Sequence, residues 1–192
     1  WLGKDGGVYV LGGEGTDEIR SLRFGGTKSM SFRDAAIKWR MDPARSLRTS
    51  WSMDEISEIC ARDAGSGISG KWQFLDRDTD VRWAIPGGRY TLAIIPHDVG
   101  KVAAPTVNSV TGMPAFDIIY LSGAETNRSR WEAGMLKGHL YPTPFVDHYT
   151  LLWFDSFFED MGYEASADLS DGAVLTFNFP LYKSVLRFVK MK

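Results

Sequence analysis

Cysteine is nearly absent. Cys60 stands alone in 192 residues, which excludes an internal disulfide framework and any multi-cysteine zinc site. Long apolar runs are missing as well: the best stretch, Tyr149 to Phe158, is broken by Asp155 and bounded by Asp147 and Glu159, well short of the ~20 residues that cross a bilayer as a helix. Neither a membrane span nor a signal peptide is therefore read. No methionine opens the chain, so Trp1 is read as the product of processing or trimming. There is no internal repeat and no low-complexity tract.

The composition is that of a packed domain. Hydrophobic residues make up 44% of the chain and aromatic ones 13%, too apolar for a disordered segment, and the length suits a single core. The net charge of −2 conceals an asymmetry. Between residues 20 and 48 eight basic residues (Arg20, Arg23, Lys28, Arg33, Lys38, Arg40, Arg45, Arg48) face two acidic ones, Asp34 and Asp42, and position along the chain decides what such charges meet.

Residues 1–30 are glycine-rich and aperiodic, and read as an extended N-terminal arm with one short strand at Val8 to Leu11. Two short helices are expected next. Ser31 caps a segment that places Phe32, Ala35, Ala36 and Trp39 on one face before Pro43. Ser52 and Glu55 form a capping box, with Ile56, Ile59 and Cys60 on one face and Gly65 as the stop. From Lys71 onward, alternating β-prone runs separated by turn residues predict strands. They begin at Trp72 and Phe74 and recur at Val81 to Ile85, Arg89 to Ile95, Phe116 to Leu121, Tyr149 to Phe154, Ala173 to Phe179 and Val185 to Lys190. No helices are read between them, so the class is mainly β and antiparallel, a sandwich or barrel over residues 31–192.

No catalytic centre is read from the residues. LGGEGTDE fails the dinucleotide pattern because Glu18 stands where the third glycine belongs, and GSGISGK at residues 65–71 lacks P-loop spacing. Asp76, Asp78 and Asp80 imitate the first half of a calcium loop, yet Val81 and Gly87 occupy the positions of its glycine and bidentate glutamate, which leaves a weak Ca²⁺ candidate. His97 and His148 each adjoin an aspartate, Asp98 and Asp147, but neighbours along a strand face opposite ways and do not pair. Cys60 lies on an apolar helix face, where inert packing is the usual role. Asn127-Arg128-Ser129 fits the glycosylation sequon. The basic stretch suits non-specific contact with nucleic-acid phosphates. No cofactor is expected.

Two local patterns carry a resemblance. Gly13-Glu14 followed by Ile19-Arg20-Ser21-Leu22-Arg23, and Leu175 to Tyr182 followed by Arg187-Phe188, resemble segments of the capsid proteins of picorna-like RNA viruses of the dicistrovirus, iflavirus and marnavirus type. Asp78 to Ile85 is similar to an arginine-containing strand of the same proteins. Gly25-Gly26 and Leu181 depart from the family pattern. The resemblance implies an eight-stranded jelly-roll β-sandwich behind the arm. It further implies a non-enzymatic structural subunit that builds an icosahedral virion in the host cytoplasm with sister capsid subunits. In that role Ile19, Arg20, Ser21, Leu22 and Arg23 would contact neighbouring subunits, while Arg33, Lys38, Arg40, Arg45 and Arg48 would face genomic RNA. The alternative expectation is a lipocalin-like β-barrel that binds a small hydrophobic ligand, with Trp72, Trp83, Tyr90 and Trp153 lining its pocket.

Overall fold

The computed structural model describes residues 42–63, 67–79, 85–86, 88–102, 114–161 and 164–191. The chain divides into two units, residues 1–45 and 46–192. The expected arm, the helix from Ser31, and the calls at Ile19, Arg20, Ser21, Leu22, Arg23, Arg33, Lys38 and Arg40 lie outside the described residues. A one-turn helix α1 (Pro43–Ser46) opens on Asp42, whose Oδ1 accepts from Ala44 N at 3.1 Å. Helix α2 (Met53–Arg62) starts at the expected capping box: Ser52 Oγ accepts from Glu55 N at 3.2 Å while Glu55 Oε2 accepts from Ser52 N at 2.9 Å. It buries Ile56 and Cys60, the apolar face read in the sequence, and packs on the barrel wall.

The barrel is built from β1 (Gly70–Thr79), a two-residue β2 (Ile85–Pro86), β3 (Thr91–Pro96), β4 (Phe116–Ser122), β5 (Leu136–Pro142), β6 (His148–Trp153), β7 (Ser166–Ser170), β8 (Val174–Phe179) and β9 (Ser184–Lys190). Every pairing is antiparallel, the order is β2-β1-β3-β4-β5-β6-β7-β8-β9, and β9 pairs back onto β1 from Trp72↔Lys190 to Thr79↔Ser184. Apart from the short β2, each strand neighbours its predecessor and successor, and eight strands close into a barrel. Closure removes the open edges that a flat sheet would leave.

The expectation of a mainly β, antiparallel architecture is met; the jelly-roll sandwich is not what forms. A jelly roll carries strands across between two sheets in Greek-key order, whereas here all the barrel's neighbours are consecutive. Alternation along a strand reports which face is buried and is silent about which strand lies beside it. The segment Leu175 to Phe179 is indeed a strand, but Pro180–Tyr182 forms a 3₁₀ turn that sends β9 back to complete the wall. Among the described residues, no helix is long and apolar enough to cross a membrane.

Inward-facing Trp72, Leu92, Ile94, Ile118, Leu140 and Phe177 form the centre of the core, each contributing roughly 1.5–3 kcal/mol by leaving water. The outer face is not left to solvent along β3 to β6. Ile95, Ile119 and Leu152 sit beside inward residues in sequence, hence on the opposite face, and are at most 1% exposed. The wall is therefore buried on both sides there.

Candidate functional site

Antiparallel registers bring the end of β1, the starts of β3 and β5, and the ends of β4, β6 and β8 to one end of the barrel. At that end the interior opens into a cavity of about 350 Å³ whose wall includes Tyr90, Trp131, Lys137, Trp153, Phe179 and Phe188. The opposite end is filled: Trp72 is fully buried and its Nε1 donates to Ile68 O at 2.9 Å.

Lys137 reaches the cavity through a break in register. Ile118 pairs with Gly138 and Ile119 with Leu136, so Lys137 is one residue more on β5 than β4 can match. Such a bulge re-aims a side chain. Gly138 is required beside it, because a Cβ there would lie 2.3 Å from Leu152 O. Lys137 is only 4% exposed. Its Nζ donates to Asp155 O at 3.0 Å and lies 4.0 Å from the Trp131 ring centre and 4.9 Å from that of Trp153. Two aromatic faces attract the cation, yet burial disfavours the charged form. Desolvation, opposed by Asp155, lowers the ammonium pKa from its usual value to about 7. An amine so placed is charged or neutral according to what enters.

The rest of the lining sets aromatic side chains (Phe74, Tyr90, Trp131, Trp153, Phe179 and Phe188) beside polar ones, Thr126, Asp155, Ser156 and Ser184 among them. Trp131 stacks on Phe158 at 4.7 Å and lies 5.4 Å from Tyr120, and Trp153 contacts Phe177 and Phe179 at 5.2 and 6.0 Å. The Tyr90 hydroxyl is shielded from water and has no hydrogen-bond partner among the described residues, and burial pushes its pKa well above the usual tyrosine range. At the rim stand the exposed Arg77, Arg89 and Glu125. Gly123 holds the rim loops together: with φ +88° its added Cβ would fall 2.1 Å from Arg89 O, so only glycine fits.

A second polar group lies on the outer wall at the filled end. Nδ1 of His97 and of His139 are 2.7 and 2.8 Å from the same Oδ1 of Asp117, and Asp117 and His139 are fully buried. The third histidine, His148, sits half-exposed with Nδ1 2.6 Å from Asp168 Oδ1. The histidines thus pair with aspartates twenty or more positions away and not with their chain neighbours.

The expected site residues are dispersed. Of the four aromatics proposed for a pocket, Tyr90 and Trp153 line the cavity, Trp72 plugs the other end, and Trp83 lies outside the described residues. Asp76 lies on a strand and accepts from Arg187 Nε at 2.7 Å, Asp78 is exposed two positions on, and Asp80 is outside the described residues. Arg48 is exposed and 3.4 Å from Glu132, and Arg45 is exposed on α1. Asn127 Nδ2 is spent on Ser156 O at 2.8 Å. Burial pushes the Cys60 thiol up to about 11, in keeping with a packing role. Lys137 was missed because a lysine beside a glycine and a histidine carries no strand signal. Comparison with protein families, curated proteins and solved structures gives no match.

Proposed function

We propose that the barrel binds a small, mainly apolar molecule carrying an acidic group, admitted through its open end. One observation carries the reading: a buried lysine over two tryptophan faces, in a cavity whose wall combines aromatic rings with a polar rim. Lysine is almost never fully buried without a partner, and among the described residues its Nζ donates to one carbonyl oxygen, that of Asp155. Charge-assisted bonding to a ligand carboxylate would be the stronger interaction, with the apolar body against Trp131, Trp153 and Phe179. The volume falls at the low end of ordinary ligand sites, which favours a compact ligand. Arg77 and Arg89 at the rim add attraction for an anion.

The capsid-subunit reading, with sister subunits and genomic RNA as partners, depends on Ile19 to Arg23 and on basic residues that mostly lie outside the described region. The jelly roll it implies differs from the consecutive strand order of this barrel. The cavity is therefore the firmer ground.

Titration with a medium-chain fatty acid and its methyl ester, followed by tryptophan fluorescence, tests the proposal. Saturable one-to-one binding of the acid is expected, and Lys137→Met should weaken it by about tenfold or more, the loss of one charge-assisted bond, while leaving the ester unaffected. Absence of saturable binding, or equal weakening of acid and ester, overturns it.

A further inference from the structure

Three ligating side chains meet on the outer wall at the filled end of the barrel, away from the cavity. His97 follows β3, Asp117 is on β4 and His139 is on β5, directly opposite Asp117 in the register. Alternation turns Asp117 and His139 away from the barrel core, since Ile118 and Leu140 face into it. Their ligand atoms all lie within 4.8 Å of one another.

The pattern of contacts is informative. Each carboxylate oxygen can accept two hydrogen bonds, so two imidazoles can be held by one oxygen and leave the other open. Here both Nδ1 atoms converge on Oδ1, while Asp117 Oδ2 and the Nε2 atoms of His97 and His139 are buried without a hydrogen-bond partner among the described residues. Buried polar groups in native proteins are nearly always satisfied, by protein, water or an ion. A buried carboxylate also needs its charge balanced, and the ion pairs of Asp117 among the described residues involve only these two histidines. Two imidazole nitrogens converging on one carboxylate, a buried charge to neutralise and the open Asp117 Oδ2 together describe a coordination site, to which the Nε2 atoms on the far edges of the rings do not belong.

We propose that His97, Asp117 and His139 bind a divalent first-row transition ion, with Zn²⁺ as the best match. Two imidazole nitrogens and one carboxylate oxygen form a borderline donor set that suits zinc and is too nitrogen-rich for Ca²⁺ or Mg²⁺. Tetrahedral coordination at about 2.0–2.1 Å sets donors roughly 3.3 Å apart, so the two contacts to Oδ1 would lengthen slightly as the ion enters. The site joins β3, β4 and β5 across residues 97 to 139, and its role is to lock that part of the wall. Zinc binds the native and not the unfolded arrangement, and so stabilises the fold.

The test uses the whole chain, stripped with a chelator and returned to Zn²⁺ or Co²⁺. Wild-type protein should hold one ion per chain after desalting, measured by mass spectrometry. Co²⁺ should give visible d–d absorption that saturates at one equivalent and is displaced by Zn²⁺, and Zn²⁺ should raise the melting temperature. Asp117→Asn and His139→Ala should weaken binding beyond the roughly 10–100-fold that outer-shell changes cost. His148→Ala, which removes the half-exposed histidine, should bind as wild type. The Co²⁺ spectrum of wild-type protein decides the matter even where a buried variant fails to fold. Absence of a saturable Co²⁺ spectrum, as expected if a proton alone neutralises Asp117, overturns the proposal. Uptake that His148→Ala abolishes overturns it equally.

Discussion

The two ends of the barrel share one wall and are built to opposite purposes. At the filled end the register is undisturbed: Ile94, Ile118 and Leu140 point inward and join Trp72 in one buried cluster. At the open end the same strands carry a bulge at Lys137, an obligatory glycine at Gly138 and a second at Gly123. The connections 123–135 and 154–165 there bring Trp131, Asp155 and Ser156 to the cavity wall, whereas the hairpin loops 143–147 and 171–173 at the filled end are short. A single extra residue in β5 exchanges an apolar inward position for a charged one. The cavity thus follows from local departures from strand regularity, not from a different fold.

The comparison breaks first on its tryptophans. Trp72→Ala at the filled end removes a fully buried ring and leaves a closed void, and should cost about 3–5 kcal/mol in denaturant unfolding. Trp131→Ala at the open end also removes a buried ring, but the space joins an existing cavity. Little beyond the transfer term is then lost, about 1.5–3 kcal/mol. Equal losses would mean that the two ends are packed alike.

Lys137→Met tests the same contrast with the opposite sign. Replacing a buried, desolvated ammonium with an isosteric apolar chain should stabilise the protein by about 1–4 kcal/mol. The effect depends on pH. In the unfolded chain the amine takes up its proton as pH falls below about 10.4, whereas in the folded protein it does so only near pH 7. Between these values the unfolded state binds more protons, so wild-type stability rises with pH from about 7 to 10. Lys137→Met should lack that slope, and its advantage should be largest at and below pH 7. Acid-ligand affinity should run the other way, falling as pH rises through 7 and the ammonium is lost.

Much of this wall was readable beforehand, and the failures have physical causes. Trp72 and Phe74 alternate with polar neighbours, Arg89 to Ile95 and Phe116 to Leu121 are rich in β-prone residues, and the Ser52–Glu55 box marks its helix. β7 escaped because Ser166-Ala167-Asp168-Leu169-Ser170 is short and has few β-prone residues; the turn after it takes positive φ at Asp171 and Gly172. β5 escaped for a deeper reason. Lys137, Gly138 and His139 each break a strand rule, and each does so for a tertiary partner: a cavity, the Leu152 backbone, and Asp117. Rule-breaking residues gather where function is expected. Strand order was beyond reach, since periodicity identifies faces and leaves neighbours open. The same limit hid the His97–Asp117–His139 cluster, whose members come from three different strand regions.

The smallest expected effect concerns Tyr90. Its hydroxyl is buried at the cavity wall with no hydrogen-bond partner among the described residues, and an unsatisfied buried group costs about 1–3 kcal/mol. If the hydroxyl served only packing, Tyr90→Phe would be stabilising and otherwise silent. If the hydroxyl is held in reserve for a ligand oxygen, the same change should raise unliganded stability by about 1 kcal/mol and weaken acid binding by roughly fivefold, the value of one neutral hydrogen bond. Thermal unfolding without ligand and titration with ligand read these two quantities independently. A stability gain with unchanged affinity would place the ligand head at Lys137 alone, whereas the paired result puts it between Lys137 and Tyr90, across the mouth from β3 to β5.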